Sequence, residues 1–167
     1  MLGPGVQSGA SYCFVLAGRE PARGVTVTIP PHTGTATLSF TLHNRHTYSD
    51  EDVRARRGYA SYTAVIVVMT MSGAILDRGA VQSEFRTAKD LHERIAGGAG
   101  PGGVKAVAPL GSENVTVTIP ADVNQVSLLG ELLDATTAAG RETATPGRTV
   151  AIVSNVRVEY RPAPRKR

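Results

Sequence analysis

The hexapeptide Val-Thr-Val-Thr-Ile-Pro stands twice in this chain, at 25–30 and again at 115–120. Strict alternation of a β-branched apolar residue with threonine has the period of an extended strand with one buried and one wet face. The closing proline cannot donate to a ladder, so each copy stops there and turns. A second strand-like run follows each copy. "GVTVTIPPHTGTATLSFTL" aligns with "NVTVTIPADVNQVSLLGEL" without a gap, setting Leu38 against Leu128 and Leu42 against Leu132. The repeated part is strand, corner, strand. Two such units are expected to form two equivalent halves of a sandwich, with nothing in the hexapeptide left over for chemistry.

The rest of the chain keeps the strand rhythm. "SYCFVLA" at 11–17, "VKAVAPL" at 104–110 and "TVAIVSNVRVEYRP" at 149–162 read as strands. "YTAVIVVMTM" at 62–71 is apolar on both faces, which calls for cover from an opposing sheet and from an insertion or a neighbouring subunit. "ILDRGAV" at 75–81 reads as a tight hairpin turning at Gly79, with a return strand at 81–86. Two short helices are expected in loops. Ser49 caps the first, with Asp50, Glu51 and Asp52 early and Arg54, Arg56 and Arg57 late, as the helix dipole favours. Thr87 caps the second, "AKDLHERIA", stopped by Gly97. The fold class is therefore all-β: an antiparallel jelly-roll β-sandwich over 11–160, with an N-terminal arm at 1–10 and a basic tail at 161–167.

Composition bears on partners. Arg161, Arg165, Lys166 and Arg167 crowd into the last seven residues, leaving 14 of the 18 basic residues against 14 acidic ones. The body is charge-balanced and the basicity is a tail, which argues against nucleic acid as the partner. The lone Cys13, inside an apolar run, rules out an internal disulfide and suits a buried, inert thiol. No signal peptide is read at the start, and no apolar run approaches the roughly 20 residues of a membrane helix.

Catalytic and metal-binding patterns are thin. His43 and His46 stand three apart near a strand end, so they converge only where the strand has already stopped. Asp50 and Asp52 are the remaining candidates for a hard cation, but the helix cap explains them as well. No Gly-x-Ser-x-Gly elbow occurs. His92 reads as the wet side of a short helix. Glu131 and Asp134 could pair with Glu84 or Glu159 as glycosidase carboxylates, yet any sandwich with 14 acids offers such pairs. Asn114 opens an Asn-Val-Thr glycosylation pattern, although the Val-Thr is already required by the strand. The expectation is a protein without enzymatic activity and without a cofactor.

The closing segment "VAIVSNVRVEYRP", together with "NVTVTIPADVNQVSLLGEL", resembles the C-terminal half of jelly-roll carbohydrate-binding modules of the galactose-binding-like group. There a strand ending in Asp-Asn-Val or a similar triplet returns across the sandwich. Here the triplet is Ser154-Asn155-Val156, without the acidic member. The same architecture serves viral capsid, cement and fibre proteins. The resemblance implies sugar binding on aromatic platforms, and with no Trp in the chain the candidates are Tyr48, Tyr59 and Tyr62, of which Tyr62 is expected to pack inward. Gly/Pro-rich arms, a doubly apolar strand and no leader favour a different class: a structural subunit of a bacterial virus, located in the virion after assembly in the host cytoplasm. Its partners would be copies of itself plus a major capsid or tail protein, contacted through Arg54, Arg56, Arg57, Arg161, Arg165, Lys166 and Arg167.

Overall fold

The computed structural model describes residues 2–48, 59–84, 91–99, 105–109, 112–137 and 139–164. In chain order the strands are β1 Gly3–Pro4, β2 Ser11–Leu16, β3 Val25–Thr28, β4 Ala36–Asn44, β5 His46–Tyr48, β6 Tyr59–Thr70, β7 Ile75–Glu84, β8 Leu91–Ala99, β9 Lys105–Pro109, β10 Glu113–Ile119, β11 Gln125–Thr137, β12 Gly140–Thr143 and β13 Thr149–Glu159. One sheet runs β1-β2-β13-β4-β10 and a second runs β12-β11-β6-β7, with β3 also on β11. All strand pairs are antiparallel. The chain is an all-β sandwich, and its inner faces meet in one apolar cluster including Leu38, Leu42, Ile66, Val117, Ile119, Val126, Leu128 and Val153.

The repeat is resolved by the pairing. The first Val-Thr-Val-Thr strand, β3, lies in the second sheet and the other, β10, in the first; each unit then crosses to the opposite sheet. Strand β3 of one unit pairs with β11 of the other, while β10 pairs with β4, so the two units clasp each other. The gapless alignment does not hold in space. Thr28 lies opposite Gln125, but its counterpart Thr118 lies opposite Thr37, two residues further on than a strict repeat would place it. An even offset keeps every side chain on its face. Leu132 then leaves the repeat: a bulge between Gly130 and Leu132 turns it outward, 44% exposed, while Leu42 is fully buried. His32 ties the two corners, with Nδ1 2.9 Å from the Pro30 carbonyl oxygen and Nε2 3.3 Å from that of Pro120.

The doubly apolar strand β6 is covered from within the chain. Its inner residues join the main core, while Val67, Met69 and Leu129 form a separate cluster on the other side of the sheet. The segment 18–24, including the 3-10 turn Pro21–Arg23, crosses β11 there, and a Cβ on Gly24 would come within 2.9 Å of Leu129. On the first sheet, Leu2 and Ala10 of the N-terminal segment pack against Tyr12 and Ile152.

Two expectations need correction. The segment expected as a helix forms β8, Leu91–Ala99, paired with β9; among the described residues no α-helix occurs, and Asp50 to Arg57 lie outside them. The hairpin turns at Gly73 (φ 92°), where the Gly73 amide donates to the Thr70 carbonyl, and β7 runs unbroken through Gly79. Gly79 has another reason: a Cβ there would meet Val115 Cγ2 at 2.9 Å, so its absence lets β7 and β10 close on each other.

Candidate binding surfaces

One depression, about 510 Å3, follows from the way β11 is edged. β3 covers one end of that edge and β12 the other; between them Ala17 makes a single parallel bridge to Gly130, and the Gly18 amide donates to the Gly130 carbonyl at 3.2 Å. Small residues Gly18, Ala144 and Gly147 wall the space, and Arg19, Arg23 and Glu131 stand around it. Glu131 is already engaged. Arg78 donates from Nε at 2.7 Å and from Nη2 at 3.0 Å to its two carboxylate oxygens.

These hydrogen bonds, helped by the charges of Arg78 and Arg19, hold the Glu131 carboxyl below its usual range despite some desolvation. Asp134, three residues on, is held low in the same way by Arg141, whose Nε and Nη2 donate at 2.8 and 2.6 Å. Two carboxylates kept ionised by arginine lack the raised pKa that a general acid requires. Glu159 sits on β13 in the other sheet, and the Glu84 side chain lies outside the description. Depressed folded-state values stabilise the fold above the ordinary carboxylate range and lose that contribution as pH falls through the folded value. The urea midpoint is therefore expected to drop modestly below about pH 4, the pairs being exposed, and less steeply in an E131Q/D134N double variant.

A second surface lies on the outer side of the first sheet, where β13 bulges between Ser154 and Arg157. Asn155 takes φ 52°, a left-handed conformation that asparagine tolerates better than most residues. Ser154, just before it, is buried with its Oγ 2.7 Å from His43 Nε2, whereas Asn155 faces solvent. The Asn155 amide donates to Thr41 Oγ1 at 3.4 Å, and that hydroxyl donates to Asn114 Oδ1 at 3.3 Å. With Ser39, Thr116 and Arg157 they line a shallow depression of about 330 Å3 on three neighbouring strands.

The residues singled out in the sequence scatter. Tyr62 packs inward at 1% exposure: its hydroxyl donates to the Val150 carbonyl and accepts from the Arg45 amide at 3.1 Å. Tyr48 falls on β5 and Tyr59 on β6, in different sheets, and their side chains lie outside the description. His43 is buried within β4, beside the Tyr12 ring, and His46 is on β5; the strand has not ended at His43. Among the described residues no cluster of three metal-ligating side chains occurs.

Cys13 is half-buried on β2, and His92 lies on β8. Arg161 is fixed by its backbone, since its carbonyl accepts from Thr33 N at 2.9 Å and Ala163 N donates to Pro31. Asp50, Asp52, Arg54, Arg56, Arg57, Arg165, Lys166 and Arg167 lie outside the described residues. Sequence reading missed Arg45, whose guanidinium pairs with Glu142, itself 3.0 Å from Arg148. No helix of the described residues is long and apolar enough to cross a membrane. In comparisons with known proteins, the chain matches no family model, no curated protein and no solved structure.

Proposed function

We propose that this chain is a non-enzymatic β-sandwich subunit, jelly-roll in kind, of a larger protein assembly, such as a capsid decoration, cement or tail component of a bacterial virus. The observation carrying this reading is a flank on which two edge strands, β7 of one sheet and β10 of the other, lie together. An edge strand presents unpaired backbone groups to any chain that can add to the sheet. Among the described residues, the stretches near both ends are tied to the body, at Leu2 and at Arg161 and Ala163, so this flank is proposed as a contact surface in addition to the arms. The partners are further copies and a major structural protein. A tagged chain expressed in its native context should sediment with high-mass particles in a density gradient, with cross-links from β7 or β10 to its neighbours. Recovery only as a free low-mass species would overturn the reading.

A carbohydrate-binding role is the second reading, favoured by the amide- and hydroxyl-lined depression at Asn155. Asn155→Gly keeps the left-handed backbone and removes the amide, so it should abolish glycan-array binding while leaving the melting temperature nearly unchanged. Tyr48→Ala and Tyr59→Ala test the aromatic version of the same idea. No signal from the unmodified chain on plant, bacterial and algal glycans rejects both versions.

A further inference from the structure

Edge strands invite unwanted partners, and folded chains blunt them with short length, proline, charge or bulges. Among the described residues, most edges are defended in this way. At the far side of the first sheet, β1 is two residues long and contains Pro4. In the second sheet one edge is divided between β3 and β12, four residues each, with Ala17 bridging between them. The other, β7, carries Asp77 and Arg78 and lies across a register shift at Met69. In the small sheet β5-β9-β8, β5 has three residues and β8 pairs through two register shifts.

Strand β10 has only one of these devices, the charge of Glu113 at its first residue. It pairs with β4 over seven consecutive residues without a shift, and "ENVTVTI" contains no proline, glycine, lysine or arginine. Alternate residues of an antiparallel strand spend their N–H and C=O on one neighbour, leaving those of the others directed away from the sheet.

We propose that β10 pairs antiparallel with β10 of a second copy, about a two-fold axis through Thr116, joining two first sheets into one. This rests on the assembly reading above and names the partner of one of its two edges. The sequence is self-complementary in that register. Thr116 meets its own mate, Val115 meets Val117, Asn114 meets Thr118, and Glu113 meets Ile119. Each pairing joins residues of one parity, so every side chain stays on its own face.

On the inner face, Val115 is only half-buried, although it packs closely on Gly79 of β7. The partner's Val117 would lie beside it and supply the missing cover. On the outer face, Asn114, Thr116 and Thr118 would form a polar row of the kind that stabilises cross-strand neighbours. Charge fits as well. Glu113 is the single charged residue of the strand, each copy would lie opposite an isoleucine, and the two carboxylates would stand about 20 Å apart at opposite ends.

The test uses the full chain in sedimentation equilibrium. The unmodified protein should show a monomer–dimer equilibrium. Thr116 is exposed, so Thr116→Arg should fold normally by circular dichroism yet weaken the dimer at least about tenfold, because it sets two like charges across the axis. Thr116→Glu should do the same, and an equimolar mixture of the two variants should recover a heterodimer.

Cross-linking supplies an arm that does not depend on charge. In a Cys13→Ser background, Thr116→Cys should oxidise to a covalent dimer; Thr118→Cys, whose two copies would be about 13 Å apart, should not. A chain that stays monomeric up to millimolar concentration overturns the pairing, as does a dimer insensitive to T116R or one cross-linked equally at both positions. A monomeric chain that still enters particles overturns only the pairing. A dimer that never enters them overturns only the assembly reading.

Discussion

Replacing Gly130 by valine is expected to cost about 3 kcal/mol or more and to lower the melting temperature by roughly 10 °C. Gly130 is buried at the bulge of β11, where even a Cβ would stand 2.5 Å from Val150 Cγ2 and 2.6 Å from Val150 Cβ. Val150 cannot easily withdraw. It is itself fully buried, and its carbonyl receives the Tyr62 hydroxyl. The larger side chain must push apart the place where Ala17 and Gly18 lock the end of β2 onto β11. Gly34→Ala is the control. Gly34 has φ 70° and nothing within 4 Å of its Cβ position, so only backbone strain is added, about 1 kcal/mol. Thermal denaturation followed by circular dichroism separates the two; equal losses would mean that the Val150 contact is not decisive.

Tyr62→Ala should be comparably damaging, about 3–5 kcal/mol, because it empties the place of one of the largest fully buried side chains. Tyr62→Phe isolates the hydroxyl. Removing it leaves the Val150 carbonyl and the Arg45 amide without this partner, at about 1–3 kcal/mol. The effect should spread along the chain of contacts from Tyr62 through Arg45 to Glu142 and Arg148. Combining Tyr62→Phe with Glu142→Gln should therefore cost less than the sum of the two, measured by chemical denaturation. Strict additivity would show that the backbone of Arg45 does not transmit the change to its guanidinium.

Alternation carried most of the architecture. Val-Thr-Val-Thr and the run at 36–44 display their faces in the residues themselves, so these strands and the sandwich could be read from period; that each unit crosses from one sheet to the other shows only in the pairing. Where it failed, a non-local contact outweighed a local signal. The cap and spacing around Leu91 favour a helix, but pairing with β9 takes that segment into a sheet. Gly79 looks like a turn residue until Val115, far away in sequence, is seen to need its empty side. Leu132 fits the repeat in the alignment and departs from it at a bulge that no pattern announces.

The surface features were less legible still. Thr41, Asn114 and Asn155 meet only because β4 lies between β10 and β13, and Glu142 reaches Arg45 from the other end of the chain. Tyr62 could be assigned to the core because its neighbours in sequence are apolar.

The clasp between the two repeated units also governs the order of folding. Neither unit contains the partner of its own strands: Thr28 waits for Gln125, and Ala36 waits for Ile119. A chain emerging from the ribosome exposes the first Val-Thr-Val-Thr-Ile segment long before anything exists to cover it. Such long-range closure makes folding slow and leaves an aggregation-prone strand unprotected during synthesis. Expression yield should thus depend on chaperone supply and temperature more steeply than the stability of the finished sandwich would imply.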